Sequence, residues 1–92
     1  LTFNINFELH QNYPNPFNPE TVISYEIRAE NHVELSVFNS NGKKVEEIVN
    51  RMHNRGKYSA LLDGAELPSG IYYYELKIDR ISVGSKKMVL VK

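Results

Sequence analysis

The sequence predicts an all-β fold, an immunoglobulin-like antiparallel β-sandwich of about seven strands, and three observations support this. Apolar and polar residues alternate at a period of two in one segment after another, the spacing that a strand turns into a single apolar face. Groups of Asn, Gly, Asp and Pro interrupt these segments at short intervals, as the turns of a sandwich require. Ninety-two residues make one domain, and with no cysteine its stability must come from a packed core and not from disulfides.

The first segment, "FNINFEL", sets Phe3, Ile5, Phe7 and Leu9 on one face. Residues 1–6 read as a linker or an extra N-terminal strand, with the domain proper at 7–92. "QNYPNPFNPET" follows at 11–21. Pro14, Pro16 and Pro19 each remove a backbone donor and bias the preceding residue toward extended backbone, so this stretch is not expected to pair inside a sheet. It is expected to cross between sheets or line an edge. Tyr13 and Phe17 would pin it to the core, while Asn12, Asn15 and Asn18 would satisfy backbone groups left without ladder partners. Such a segment also blunts an edge strand.

"TVISYEI" then places Ile23, Tyr25 and Ile27 on one face, and "HVELSVF" does the same with Val33, Leu35 and Val37. "SNG" predicts a type I′ hairpin turn with positive φ at both Asn41 and Gly42. Val45, Ile48, Val49 and Met52 also fit helical spacing. The hairpin signal and the β-branched residues nonetheless favour a strand over 44–49, with a short helix as the alternative. "HNRG" is a turn, and "KYSALLDG" alternates Tyr58, Ala60 and Leu62 before Asp63-Gly64 stops it. In "ELPSG", Pro68 fixes φ and Gly70 is free to adopt backbone conformations closed to other residues. "IYYYELKI" puts Tyr72, Tyr74, Leu76 and Ile78 on one face and Ile71 and Tyr73 on the other, as in a central strand. "SKKMVLVK" closes the series, with Met88 and Leu90 opposite Val89 and Val91.

Composition removes several function classes. Eleven basic and eleven acidic residues give a net charge of +0, which takes away the electrostatic basis for nucleic-acid binding. No apolar run approaches the roughly 20 residues of a spanning helix. "LTFNINFELH" has neither a basic leader nor a small-residue cleavage site, so an export leader, if used, is expected upstream. His10, His32 and His53 lack metal-ligand spacing, and no metal or cofactor is expected. Ser59, His53 and Asp63 could be drawn as a triad only on paper, and Glu46 and Glu47 point to opposite faces of a strand. No catalytic residue is therefore assigned, and no small-molecule substrate is expected. Tyr72, Tyr73 and Tyr74 could stack on sugar rings, which keeps an accessory spacer or carbohydrate-binding module of an extracellular hydrolase as the alternative function. The competing reading buries the rings and bonds the hydroxyls, one of them as a tyrosine corner.

"NYPNPFNPET" at 12–21, "VELSVFNSNGKKVEEIV" at 33–49, "GKYSALLDG" at 56–64, "LPSGIYYYEL" at 67–76 and the closing "SKKMVLVK" together resemble the type A C-terminal sorting domains of the type IX secretion system of Bacteroidota. The immunoglobulin-like domain of the flagellar hook-capping family shares the opening motif and the "SGIYYY"-like strand. Leu62 stands where sorting domains often carry Trp, a change a core slot accepts with some loss of volume.

The resemblance implies a non-catalytic secretion signal fused behind a larger cargo protein. The precursor would pass through the periplasm, be recognised by outer-membrane type IX components, and end at the cell surface or outside the cell, often after a sortase-like peptidase removes the domain. Carried over residue by residue, the expected recognition positions are Gly70 and Tyr72, with Lys87, Met88, Val89, Leu90, Val91 and Lys92. Backbone groups of that last strand could be offered for strand addition.

Overall fold

A computed structural model describes residues 7–92. Phe3 and Ile5, and the reading of 1–6 as linker or extra strand, lie outside the described residues.

Among the described residues, seven strands follow in chain order: β1 (Phe7–Leu9), β2 (Glu20–Ile27), β3 (Asn31–Asn39), β4 (Lys44–His53), β5 (Gly56–Asp63), β6 (Gly70–Ile78) and β7 (Ile81–Leu90). They form two antiparallel sheets, β1-β2-β5 and β4-β3-β6-β7, the three-plus-four layout of an immunoglobulin-like sandwich. The period-two faces meet between the sheets. Ile23, Tyr25, Ile27, Ala60 and Leu62 come from one, and Val33, Leu35, Val37, Tyr74, Leu76 and Ile78 from the other. Each Ile, Leu or Val among them contributes about 1.5–3 kcal/mol when withdrawn from water. Leu62 is buried in this core, as its position before "DG" suggested.

Residues 44–53 are a strand and not a helix, because β4 pairs along β3 from Asn31↔His53 to Phe38↔Lys44. Two register shifts interrupt that pairing, between Leu35/Ser36 and Val37/Phe38. These bulges explain why the apolar residues of 45–52 lose strict alternation and imitate a helical pattern.

Two turns differ from expectation. Gly42 takes positive φ (83°), but Asn41 does not, so the turn is not type I′. Instead the Gly42 amide donates to Asn39 O (2.9 Å) and the Asn39 amide to Lys43 O (2.9 Å). The Asn39 side-chain oxygen accepts from the amides of Asn41 and Lys43, at 3.0 Å each. This is a three-residue loop with glycine in the left-handed position, and Asn39 stabilises it from within. The type I′ geometry lies elsewhere, at Asp79 and Arg80 (φ 53° and 68°), which join Ile78 to its partner Ile81. No Asn-Gly marks that site, so β7 begins four residues before the "SKKMVLVK" boundary.

Candidate recognition surface

The segment 11–19 connects β1 to β2, and its X–Pro bonds at 14, 16 and 19 are all cis. Prolines at 14 and 16 leave amides on Tyr13, Asn15 and Phe17, and two of these residues make sheet contacts. Tyr13 exchanges both backbone bonds with Val22 (3.0 and 2.9 Å), extending the β1-β2-β5 sheet. The Phe17 amide donates to Val89 O (2.9 Å), and Phe17 O accepts from the Val91 amide (3.0 Å), which pairs it with β7 of the other sheet. The segment is thus a strap that lines an edge of both sheets.

Phe17 fills the core at 1% exposure, as expected, but Tyr13 does not: it is 80% exposed. Tyr13 is held through its backbone, beside exposed Val22 and Leu61, and needs no ring contact to stay there.

Buried Asn12 anchors the strap. Its amide donates to the Tyr74 hydroxyl (2.8 Å), which donates in turn to His10 O (2.7 Å). Its side-chain nitrogen donates to Pro14 O (3.1 Å) and Thr21 Oγ1 (3.0 Å), and its side-chain oxygen accepts from Gln11 Nε2 (2.7 Å). Thr21, also buried, donates to Pro14 O (2.8 Å). Burial raises the Tyr74 pKa, partly countered by the bond from Asn12, so the hydroxyl stays protonated for its donor role. Asn15 acts as expected, its Oδ1 accepting from the Val89 amide at 3.0 Å. The Asn18 side chain is exposed and shows no hydrogen bond among the described residues, against expectation.

Six of the eight residues singled out for recognition come together in one ladder, with Gly70↔Leu90, Ile71↔Val89, Tyr72↔Met88 and Tyr73↔Lys87 as pairs, and Val91 and Lys92 follow past the end of β7. They divide into two kinds. Tyr72, Met88 and Leu90 are buried core residues, and no partner can touch them while the domain is folded. Lys87, Val91 and Lys92 are exposed and Val89 half-buried, next to exposed Ile71 and Tyr73. Gly70 has φ 156°, and nothing lies within 4 Å of where a Cβ would sit, so backbone conformation and not space selects glycine there.

Tyr72 donates to Pro68 O at 2.6 Å, four residues upstream, which is the tyrosine-corner arrangement. Of the three consecutive tyrosines, Tyr72 and Tyr74 are buried and Tyr73 alone is exposed, so they do not form a flat aromatic platform. Past β7, the Lys92 amide donates to Ser69 Oγ (3.1 Å) and its ammonium to Ala65 O (2.6 Å).

The outward backbone groups at the end of β7, the ones strand addition would use, are already engaged. Gln11 Nε2 donates to Lys87 O (2.8 Å), Asn15 Oδ1 and Phe17 N take the amide and carbonyl of Val89, and Phe17 O takes the Val91 amide. From Lys87 O to Val91 N the strap already holds the outward backbone groups. Sequence reasoning missed this closure. Residues 11 and 87 lie 76 positions apart, and Gln11 carries no local signal.

At the opposite end of the sandwich a second polar cluster joins the sheets. His53, which ends β4, is 1% exposed, and its Nε2 lies 2.8 Å from the Tyr25 hydroxyl. Its ring packs against Tyr58 at 4.2 Å between centroids. Burial holds the His53 pKa below its ordinary value, and Arg51 and His32 push it further down against nearby backbone carbonyls. Tyr25 is pushed up to about 12, chiefly by burial. The His53 Nδ1 has no hydrogen-bond partner among the described residues. Among those residues, no group of three or more His, Asp or Glu is arranged to hold a metal ion.

The family described as "Secretion system C-terminal sorting domain" matches residues 11–92. No curated protein matches the chain. Among solved structures, dimeric latent PorU from Porphyromonas gingivalis is similar in fold, with a TM-score of 0.78 and 14% identity over 98% of this chain. The alkylpurine DNA glycosylase AlkC of Pseudomonas fluorescens, bound to DNA containing an abasic site analog, is similar at a TM-score of 0.67 and 12% identity, again over 98% of this chain. The chain spans 10% of the length of the first and 32% of the second, and at these identities the likeness concerns the fold.

Proposed function

The chain belongs to the secretion-system C-terminal sorting domains, and on that premise we propose that it directs a preceding cargo protein to the outer-membrane type IX translocon. The domain is a non-catalytic label. Its cargo crosses the periplasm and reaches the cell surface or the medium, and a sortase-like peptidase of the system removes the label. The observation that carries this reading is the family match over residues 11–92, which covers the strap, the β6–β7 ladder and the outward side chains at its end.

Of the recognition residues, Lys87, Val89, Val91 and Lys92 present side chains to a partner. Gly70, Tyr72, Met88 and Leu90 build the platform beneath them. The lysines supply charge, and the β-branched valines on a fixed strand supply shape at low ordering cost.

The test is a reporter with a Sec leader fused to residues 1–92 in a bacterium that has a type IX system. Export of the fusion is expected. In the triple variant Lys87→Glu, Val89→Ser, Val91→Ser the reporter should stay in the periplasm, with the domain still folded by circular dichroism. Retention of the unaltered, folded fusion in the periplasm would overturn the sorting function.

A further inference from the structure

We infer that the strap is the positioning element of the sorting label: Gln11, Asn15 and Phe17 hold the edge of β7 closed, so that Lys87, Val89 and Val91 are read through their side chains and not by strand addition. The inference rests on the sorting function proposed above and specifies how the last strand is recognised.

The geometry supplies the argument. An added strand needs a run of outward donors and acceptors on the edge it joins. Here Lys87 O, Val89 N, Val89 O and Val91 N are engaged at 2.8, 3.0, 2.9 and 3.0 Å by Gln11, Asn15 and Phe17. Those partners are themselves fixed. Gln11 bonds Asn12, which is buried and tied to Tyr74, Thr21 and Pro14. Phe17 is buried against the core, where a Cβ built on Gly64 would stand 3.2 Å from its ring. A partner seeking the backbone of 87–91 would have to displace a segment rooted in the core. One reading the outward side chains meets them already in register, without the ordering cost a free end would impose.

Asn15 is the sharpest place to test this, because its side chain is exposed and its bond to Val89 uses only the Oδ1 acceptor. Asn15→Ala removes the acceptor, and Asn15→Asp retains one. In the secretion reporter, with each fusion checked for folding by circular dichroism, Asn15→Ala should lower export at least tenfold and Asn15→Asp should restore most of it. Amide hydrogen exchange on the purified fusion should show faster exchange at Val89 in Asn15→Ala and wild-type protection in Asn15→Asp. A stabilising role without positioning would not produce that pairing of local exchange with export in a folded protein. Gln11→Ala, which frees Lys87 O, gives the same export test should Asn15→Ala not fold.

Unchanged or increased export in folded Asn15→Ala would overturn the inference, an increase being what strand addition to a freed edge predicts. If the unaltered fusion is not exported, the sorting function fails and this inference with it. Export of the unaltered fusion together with an insensitive Asn15→Ala variant removes the positioning role alone.

Discussion

The strap that carries the chain from β1 to β2 and the corner that carries it from β4 to β5 both tie one sheet to the other, with different chemistry. The strap crosses on side-chain amides, backbone groups and one buried ring, and Asn12 uses its amide and both side-chain polar atoms. The corner crosses on a stack of Tyr25, His53 and Tyr58, where one ring nitrogen is bonded and the other is buried without a partner among the described residues. Each region uses a tyrosine hydroxyl bonded to a carbonyl four residues upstream: Tyr72 to Pro68 near the strap, Tyr58 to Asn54 at the corner. The difference lies in what titrates. Nothing in the strap's bonding changes charge near neutral pH, so that end should hold its geometry across pH while the corner weakens in acid.

Removing the strap's apolar anchor should have the largest effect. Phe17→Ala is expected to cost about 3–5 kcal/mol, the usual range for emptying a buried aromatic site, measured as a lower midpoint in urea. Asn12→Ala should come next, at about 1–3 kcal/mol, because it strands buried partners instead of removing apolar area. If Asn12→Ala proved neutral, water would be replacing those bonds and the strap would be less closed than described.

The corner is broken by pH. The folded pKa of His53 lies below its ordinary value of about 6.5, so as pH falls the unfolded chain takes up the proton first. Its contribution to stability is therefore intact above about 6.5 and lost progressively as pH falls toward the folded pKa. His53→Phe should flatten that part of the stability profile between pH 7 and 5, while Asn12→Ala should shift the profile down without changing its slope there. The smallest effect belongs to the exposed Lys44–Glu47 pair on β4, at 3.2 Å. Glu47→Gln should leave the thermal midpoint unchanged, since neither side chain holds the sheets together.

Much of the architecture was legible because alternation is a local property. The buried faces of β2, β3, β5 and β6 follow from residues two apart, with no knowledge of the partner strand. Legibility failed where the deciding partner was distant or the turn chemistry unusual. Tyr13 and Phe17 look equivalent in "NYPNPF", yet one bridges to Val22 on an outer face and the other to Leu90 in the core. Asp79 and Arg80 adopt a turn normally marked by Asn-Gly, and so concealed the start of β7. The closing strand was legible as a segment from its alternation. That its edge is closed depends on contacts across more than seventy positions.

The most direct test compares the two ends in the same secretion reporter. One fusion carries Lys87→Glu, Val89→Ser and Val91→Ser beside the strap; the other carries Lys77→Glu and Arg80→Glu near the corner. Both sets alter exposed or partly exposed side chains and leave the core intact. Loss of export confined to the first fusion is the predicted result. Equal export from both, with both folded, would contradict the assignment of recognition to the end of β7.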